Sequence, residues 1–391
     1  MKKMMMLTTT AYMSERFNRD NILILERMGY EVHVVANFDK GNPSTKEVLD
    51  SFRQWVEEHH GQCYSIAITA HPSDQKSFWK AYHQCMNLIE KNHYEFIHCH
   101  TPVGGVLGRL LGHKAHIKVM YTAHGFHFFD GAPLKNWLLF YPVEKFLSKW
   151  TDVLVTINHE DYQRAKDKFH AKKTVYIPGV GVDFTKFNSD RINRNAKRLE
   201  MGWKPDDKII ISVGELSVRK NHEVIIRAIA ELHDDSIKCV ICGTGVLEDQ
   251  LKNLVAELKL ENQVQLLGYR TDISELCQAA DVFALPSLQE GLSIALMEAI
   301  ACKVPVVCSR IRGDVDLVTD TNYMFDPKSV KETGKALKYA LESDNAKVVA
   351  ENYERLKVCD ITNIDRMMVD DYTLLGKSGG GAAHHRSSEL S

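Results

Sequence analysis

Short apolar runs alternate with longer amphipathic runs along almost the whole sequence, and this pattern restricts the possible folds most strongly. Short runs such as Phe96–His100 suit buried strands, whereas longer runs such as Gln75–Lys91 have helical character. Alternation of this kind is typical of βαβ units, in which helices connect parallel strands. We therefore predict an α/β fold built on parallel sheets.

The alternation stops once and then restarts. The break starts in the glycine-containing segment 178–183 and continues through the charged segment 188–207, which lacks a strand pattern and which we interpret as a linker. Because 391 residues exceed one ordinary core, we predict two doubly wound, Rossmann-like domains facing each other across a ligand-binding cleft. The predicted strands are Met4–Thr8, Val32–Asn37, Tyr64–Ile68, Phe96–His100, Lys118–Thr122, Val153–Ile157 and Thr174–Ile177, then Lys208–Val213, Ile237–Cys242, Val264–Leu267, Asp281–Leu285 and Val304–Cys308.

Composition narrows the class of protein. A hydrophobic content of 44% and a charged content of 26% are those of a globular protein. The formal net charge of −2 argues against generic nucleic-acid binding. No apolar run approaches the ~20 residues that a membrane-spanning helix needs. Nine cysteines, four of them inside predicted strands, favour a reducing cytoplasm over a disulfide framework.

Two acids, Glu290 and Glu298, flank the start of a predicted helix. The chain turns at Gly291–Ser293, and the apolar run Ile294–Ala301 has helical character. Free backbone N–H groups at a helix start suit an anion. At about 1.5 Å of rise per residue, Glu298 stands roughly 7–8 Å beyond the turn. A ligand with a sugar, a diphosphate and a ribose in a row would fit this layout.

The stretch from Pro286 to Val307 closely resembles the acidic-pair motif of glycosyltransferase family 4. Members of that family are retaining enzymes of GT-B fold that use nucleotide-sugar donors, and the resemblance extends over residues 1–373. It implies that Glu290 contacts the donor sugar and Glu298 the ribose, with the Gly291, Leu292 and Ser293 turn beside the donor. The alternative interpretation is a pair of ordinary surface acids on a helix.

The segment Val213–Asn221 resembles the family's diphosphate-binding loop. Lys220 matches the lysine of that loop, but Glu215 occupies the position of its arginine. An acid would repel a diphosphate, so we expect Glu215 to point away and Arg219 to replace the missing arginine.

Two weaker resemblances lie on the donor side. Gly243 and Gly245 resemble the glycine-rich turn near the nucleotide, and Arg270 belongs to a segment similar to the one that lines the base. Glycines serve any tight βα turn equally well. The pair Asp314 and Asp316 has the Asp-x-Asp spacing that binds metals in another glycosyltransferase fold, but here we expect no metal site and no other cofactor.

The acceptor side is implied by residues at the ends of first-half strands. His124 matches a family histidine that reaches into the cleft near the reacting sugar, and His127 is a second candidate. His100, Thr9 and Thr10 follow or end predicted strands and are expected to line the same side. The resemblance thus implies Glu290, His124 and Lys220 as the catalytic set.

The resemblance also implies a domain division. Residues 1–185 would form the acceptor-side domain, joined by a C-terminal helix at about 361–375, and residues 186–360 the nucleotide-sugar domain. Residues 376–391 look like an added tail.

The segment Lys135–Lys149 interleaves aromatic residues with lysines, and residues 101–150 hold six Lys or Arg against two Asp or Glu, a net +4. Such a strip could rest on an anionic membrane or form an internal helix.

We therefore expect transfer of a hexose or N-acetylhexosamine from a nucleotide sugar, most simply UDP-linked, to a polyprenyl-diphosphate-linked saccharide. This would take place in bacterial exopolysaccharide, capsule or glycan assembly, at the inner face of the cell membrane. A nucleotide-sugar 2-epimerase, transfer to a soluble acceptor and a non-catalytic sugar-binding relative remain alternatives. A nicotinamide oxidoreductase would need a glycine-rich turn after the first strand, where Thr8–Met13 contains no glycine.

Overall fold

The computed structural model describes residues 1–71, 73–187 and 193–376. These residues form two parallel sheets, the first with strand order β3-β2-β1-β4-β5-β6-β7 and the second with order β10-β9-β8-β11-β12-β13. The strand order reverses between β1 and β4 in the first sheet and between β8 and β11 in the second. At each of these points a crevice opens at the carboxyl ends of the strands. The predicted α/β class with two doubly wound domains is confirmed.

The first sheet contains β1 Lys2–Thr10, β2 Tyr30–Asn37, β3 Gln62–Ser65, β4 Phe96–His100, β5 Lys118–Ala123, β6 Val153–Thr156 and β7 Lys173–Tyr176. Its helices are α1 Ala11–Phe17, α2 Arg19–Arg27, α3 Lys46–Glu58, α4 Gln75–Asn92, α5 Pro102–Ala115, α6 Leu134–Leu147 and α7 His159–Lys168. Side chains alternate between the two faces of a strand. Accordingly, Met4 and Met6 belong to one hydrophobic cluster, and Met5 and Leu7 to another.

The second sheet contains β8 Lys208–Val213, β9 Ile237–Cys242, β10 Val264–Gly268, β11 Val282–Leu285, β12 Val306–Ser309 and β13 Met324–Phe325. Its helices are α8 Arg194–Glu200, α9 His222–Leu232, α10 Glu248–Glu257, α11 Ile273–Ala279, α12 Ile294–Ala301, α13 Asp314–Leu317, α14 Val330–Glu342 and α15 Ala346–Leu356. The final helix, α16 Ile361–Gly376, returns to the first sheet, where its Tyr372 is buried against Phe96.

The structure differs from the sequence-based expectations at several elements. β3 is Gln62–Ser65 and not Tyr64–Ile68, and β13 has no counterpart among the predicted strands. The predicted linker contains α8, whose Arg194 and Arg198 form ion pairs with Asp281 and so attach the helix to the second sheet. Residues 188–192 of that segment lie outside the described residues, as does the predicted tail beyond Gly376. The segment Ser14–Met28, whose pattern predicts a single helix, forms parts of two helices that meet at Asn18.

A further difference is α5, which the hydrophobic pattern did not indicate. Its glycines disfavour a helix in isolation, but they let the helix lie directly against the sheet. A Cβ at Gly112 would stand 2.1 Å from Val119 of β5. Thr101 caps the helix by accepting a hydrogen bond from the Gly104 N–H, and Pro102 occupies its first turn.

We predict opposite effects for two Gly→Ala substitutions inside helices. Gly112→Ala destabilises the protein by about 1–3 kcal/mol, because the new methyl group overpacks the α5–β5 contact. Gly334→Ala in α14 stabilises it by about 0.5–1 kcal/mol, because the nearest atom is 3.7 Å away and alanine favours a helix. Urea unfolding measures both values, and equal effects would contradict this packing.

Candidate active site

The centre of the candidate site is the carboxylate of Glu290, in the loop after β11. The residue is 9% exposed. Its Oε1 accepts hydrogen bonds from Lys220 Nζ at 2.7 Å and from Arg219 Nη1 at 3.0 Å. One carboxylate oxygen therefore binds two cations from the loop after β8.

The charge state of Glu290 follows from competition between burial and its neighbours. Burial alone raises the pKa of this carboxyl, but the charges of Lys220 and Arg219 outweigh it and hold the pKa below its ordinary value. Glu290 is therefore an anion at neutral pH, unsuited to act as a proton donor.

The loops that carry these residues are tied together by the backbone. Leu288 N–H donates to the Arg219 carbonyl at 2.8 Å. Asn221 adopts a left-handed conformation, φ 54°, and its amide donates to the carbonyls of Pro286 and Pro327. Glu215, on the same loop, is exposed. The two cations are thus held on a fixed loop.

The acidic pair spans the start of α12 as the sequence predicts. Ser293 caps the helix by accepting a hydrogen bond from Leu296 N–H. Glu298 lies within the helix. Burial raises the pKa of its carboxyl, and the positive charge of Arg16 in the first domain partly offsets this increase. The two acids differ accordingly: Glu290 is ion-paired, and Glu298 is half-buried without a hydrogen bond to any residue of the described ranges.

Other donor-side candidates have structural partners. Gly243 and Gly245 let their turn approach the loop after β8, since Cβ atoms there would stand 1.9 Å from the Gly214 carbonyl and 2.4 Å from the Leu216 carbonyl. Arg270 donates to both oxygens of Asp272, an acid that also pairs with Lys197.

The acceptor-side histidines form a row that starts at α16. Tyr372 OH lies 2.8 Å from His98 Nδ1, the ring centroids of His98 and His100 lie 4.1 Å apart, and His100 Nδ1 lies 3.1 Å from His124 Nε2. Burial lowers the pKa of His98 to about 3 and that of His124 to about 4. These imidazoles are neutral at pH 7, so His124 serves as a hydrogen-bonding group there and not as a cation.

The remaining acceptor-side candidates lie around this row. Thr9 is buried and donates to Thr101 Oγ1 at 3.2 Å, while Thr10, at the end of β1, occupies the N-cap position of α1 without a capping hydrogen bond from the described residues to its side chain. His127 packs its ring against Phe140 at 4.6 Å and so contacts α6.

The Asp-x-Asp pair is divided between two environments. Asp314 is buried, and neither of its carboxyl oxygens has a hydrogen-bond partner in the described part of the chain; burial raises its pKa well above the ordinary value, which favours the neutral acid. Asp316 accepts a hydrogen bond from the His159 N–H of α7 at 2.9 Å. Within the described residues, no group of three or more His, Cys, Asp or Glu side chains is placed to hold a metal ion.

The sequence of this chain matches two family models that together cover both domains. Residues 15–185 match the model Glycosyltransferase Family 4, and residues 193–357 match the model Glycosyl transferases group 1. EpsD of Bacillus subtilis (strain 168), which is named as a glycosyltransferase, is 37% identical over 326 residues, 82% of this chain and 81% of EpsD. The chain belongs to glycosyltransferase family 4. This enzyme is therefore a glycosyltransferase of GT-B fold, as the resemblance implied.

Two further comparisons bear on the enzyme. The UDP-Gal:alpha-D-GlcNAc-diphosphoundecaprenol alpha-1,3-galactosyltransferase of Escherichia coli is 29% identical over 314 residues, 78% of each chain. The crystal structure of Anabaena HepE in complex with UDP shares the fold, with a TM-score of 0.74 at 18% identity over 96% of this chain and 100% of HepE.

Two residues near the site were not singled out from the sequence. Arg312 follows β12 and Asp161 lies in the first turn of α7, and their side chains meet at the domain interface. The only sequence signal was the cap pattern Asn158 to Asp161, an N-cap with an acid three positions later. It indicates a helix start and gives no hint of a partner 151 positions away.

The neutral histidine row predicts a pH-dependent stability. An unfolded histidine gains a proton near pH 6.5, whereas folded His98 stays neutral down to about pH 3. Stability contributed by neutral His98 is therefore lost as pH falls below 6.5. The difference in unfolding free energy between wild type and His98→Gln should shrink by about 2 kcal/mol from pH 7 to pH 5. A difference independent of pH would contradict the neutral buried state.

Proposed function

We propose that this enzyme is a retaining glycosyltransferase that moves a hexose or N-acetylhexosamine from a UDP-sugar to a polyprenyl-diphosphate-linked saccharide. The reaction would serve the assembly of a bacterial exopolysaccharide, capsule or glycan. The observation that carries the proposal is the buried Glu290 carboxylate, fixed by Lys220 and Arg219 at the start of α12. In a family 4 glycosyltransferase, this is the place for the sugar and diphosphate of the donor.

The donor assignment follows from charge. Lys220 and Arg219 supply two cations for a diphosphate, and free N–H groups at the start of α12 point to the same region. Glu298, one and a half turns further along α12, would bind the ribose hydroxyls. UDP as the nucleotide is supported by the UDP complex of HepE and by the UDP-Gal donor in the name of the Escherichia coli relative.

The acceptor assignment rests on the same Escherichia coli relative, whose name specifies a diphosphoundecaprenol-linked acceptor. The acceptor would enter from the first domain, where His100 contacts His124. Thr9, Thr10 and His127 are the other proposed contacts on this side. A neutral imidazole at His124 can orient a sugar hydroxyl without adding charge.

The proposed chemistry is front-face substitution. The bond from the anomeric carbon to the diphosphate oxygen breaks, and the acceptor hydroxyl forms the new bond on the same face, passing its proton to the departing phosphate oxygen. Negative charge grows on the diphosphate, where Lys220, Arg219 and the start of α12 stabilise it. In this proposal these groups stabilise the leaving diphosphate without a resident metal ion.

We predict that Glu290→Gln lowers turnover by about 10²–10³-fold, because a preorganised contact to the reacting sugar is lost. Lys220→Ala should lower turnover by a similar factor and also weaken UDP binding, since it removes a diphosphate contact. Glu223→Gln, on the exposed face of α9, is the matched control with wild-type turnover. UDP release with a lipid-diphosphate saccharide acceptor measures all three. Wild-type turnover by folded Glu290→Gln would overturn the assignment.

A panel of UDP-sugars, screened first by thermal shift, separates the proposal from its alternatives. Acceptor-dependent UDP release with a glycosylated lipid product supports the proposal. UDP release together with a 2-epimerised sugar and no acceptor would indicate an epimerase, and glycosylation of water-soluble acceptors alone would remove the lipid assignment.

The outer face of α6 supports a peripheral site at the membrane. Trp137, Phe140 and Tyr141 pack inward on the first domain, and the one acid of the helix, Glu144, is buried against Arg109. The outer face carries two exposed lysines, Lys135 and, just beyond the helix, Lys149. It also carries five exposed apolar side chains, those of Leu134, Leu138, Leu139, Val143 and Phe146. In the described part of the chain no helix is long and apolar enough to cross a bilayer. We propose that this face rests on an anionic membrane.

We predict that Leu138→Asp lowers partitioning onto vesicles of phosphatidylcholine and phosphatidylglycerol by about tenfold, because it removes an inserted side chain and adds a repelled charge. Leu138 is 71% exposed, and Leu199 of α8, 80% exposed, provides the control Leu199→Asp, which should partition like wild type. Flotation measures both. Equal partitioning of the two variants would contradict docking through α6.

A further inference from the structure

Arg312 joins the two domains beside Glu290. Its Nη1 donates to the Phe126 carbonyl and to Asp161 Oδ1, both at 2.9 Å, on the first domain. Its Nε and Nη2 donate to the Glu290 carbonyl, each at 3.3 Å, on the second. The buried guanidinium also lies over the ring of Phe129 at 4.7 Å. One planar group thus holds the backbone of the donor-side acid and the loop that follows His124.

Asp161 completes this arrangement from α7. Its Oδ2 accepts from the Phe126 N–H and from the Asn158 side chain, each at 3.0 Å, while its Oδ1 pairs with Arg312. Phe126 is therefore held at its N–H by Asp161 and at its carbonyl by Arg312. Since Phe126 lies two residues after His124, this pair fixes the position of the loop that presents His124.

The backbones meet without side chains between them. A Cβ at Gly291 would stand 2.1 Å from the His124 carbonyl, and one at Gly313 would stand 2.2 Å from the Gly291 carbonyl. Gly125 has φ +120° and a Cβ there would be 3.0 Å from Arg312 Nη2. The His124 loop, the Glu290 loop and the Arg312 loop are thus in direct contact, so a shift in one is transmitted to the others.

We infer that Arg312, held by Asp161, is a positioning residue that sets Glu290 and His124 at the distance from each other that transfer needs. It acts through backbone carbonyls and touches no reacting atom. The inference rests on the proposed function of this cleft, because the geometry matters only if Glu290 and His124 face one bound sugar. Misplacement by about 1 Å can cost 10²-fold in rate.

The fork of the guanidinium is needed for this role. It donates in three directions at once, to Phe126, Asp161 and Glu290, whereas a lysine ammonium on a flexible stem cannot match that planar pattern. Removing one partner of a buried pair leaves an unpaired charge, but replacing both by neutral groups is often tolerated. A double variant can therefore separate positioning from stability.

The test compares Arg312→Met, Asp161→Asn, the double variant and Arg312→Lys. Melting temperature, the Kd for UDP and turnover are measured for each. Turnover is measured as UDP release from the UDP-sugar that the wild-type enzyme consumes. The acceptor is included if the wild-type enzyme transfers sugar to it; otherwise, slow hydrolysis of the UDP-sugar is measured. We expect the double variant and Arg312→Lys to melt within a few degrees of wild type and to bind UDP within about threefold, yet to turn over at least 30-fold more slowly.

Recovery of turnover along with stability in the double variant or in Arg312→Lys would overturn the inference and leave a structural role. Loss of UDP binding in step with turnover would also overturn it, because Arg312 would then be shaping the donor site alone. If the wild-type enzyme hydrolyses the UDP-sugar but forms no lipid-linked product, only the proposed acceptor is refuted. The comparison of the Arg312 and Asp161 variants remains valid in that case.

Discussion

An ionised carboxylate that is almost buried must be paired or hydrogen-bonded, and Glu290 meets this requirement with Lys220 at 2.7 Å. The requirement has consequences for the surrounding structure. The loop after β8 must reach the loop after β11, so these strands must be neighbours in the sheet, as they are. Asn221 must then hold both loops through backbone carbonyls. The arrangement of these two loops, which we propose as the donor side of the cleft, follows from this one ion pair.

The first domain contributes a site of different character. Its histidines are neutral because they are buried, and they are held in a row by Tyr372 of a helix that comes from the far end of the chain. The second domain therefore presents fixed charge, and the first presents neutral hydrogen-bonding groups. This division suits a reaction in which charge grows on the donor diphosphate while the acceptor is an uncharged hydroxyl.

The sequence predicted most elements because their signals are local. β4, β8 and β9 have the predicted bounds, since each is a short apolar run between polar turns. The Glu290 loop and Lys220 were found through a motif resemblance, which also depends on local residues. The helix α5 was missed because its glycines lower helix propensity, and the reason for them, contact with β5, appears only in three dimensions.

The interface could not be predicted in the same way. Arg312 and Asp161 are 151 positions apart, and no sequence pattern around either residue indicates that the other is its partner. Likewise, the motif that points to Glu290 does not reveal that Arg219 shares its carboxylate.

A crystal structure of the enzyme with UDP tests the central claim most directly. The account predicts that the diphosphate contacts Lys220 and Arg219, that the ribose lies within hydrogen-bond distance of Glu298, and that the Glu290 carboxylate borders the space beyond the second phosphate, facing His124. A nucleotide bound away from Lys220, or a ribose that does not reach Glu298, would contradict the account.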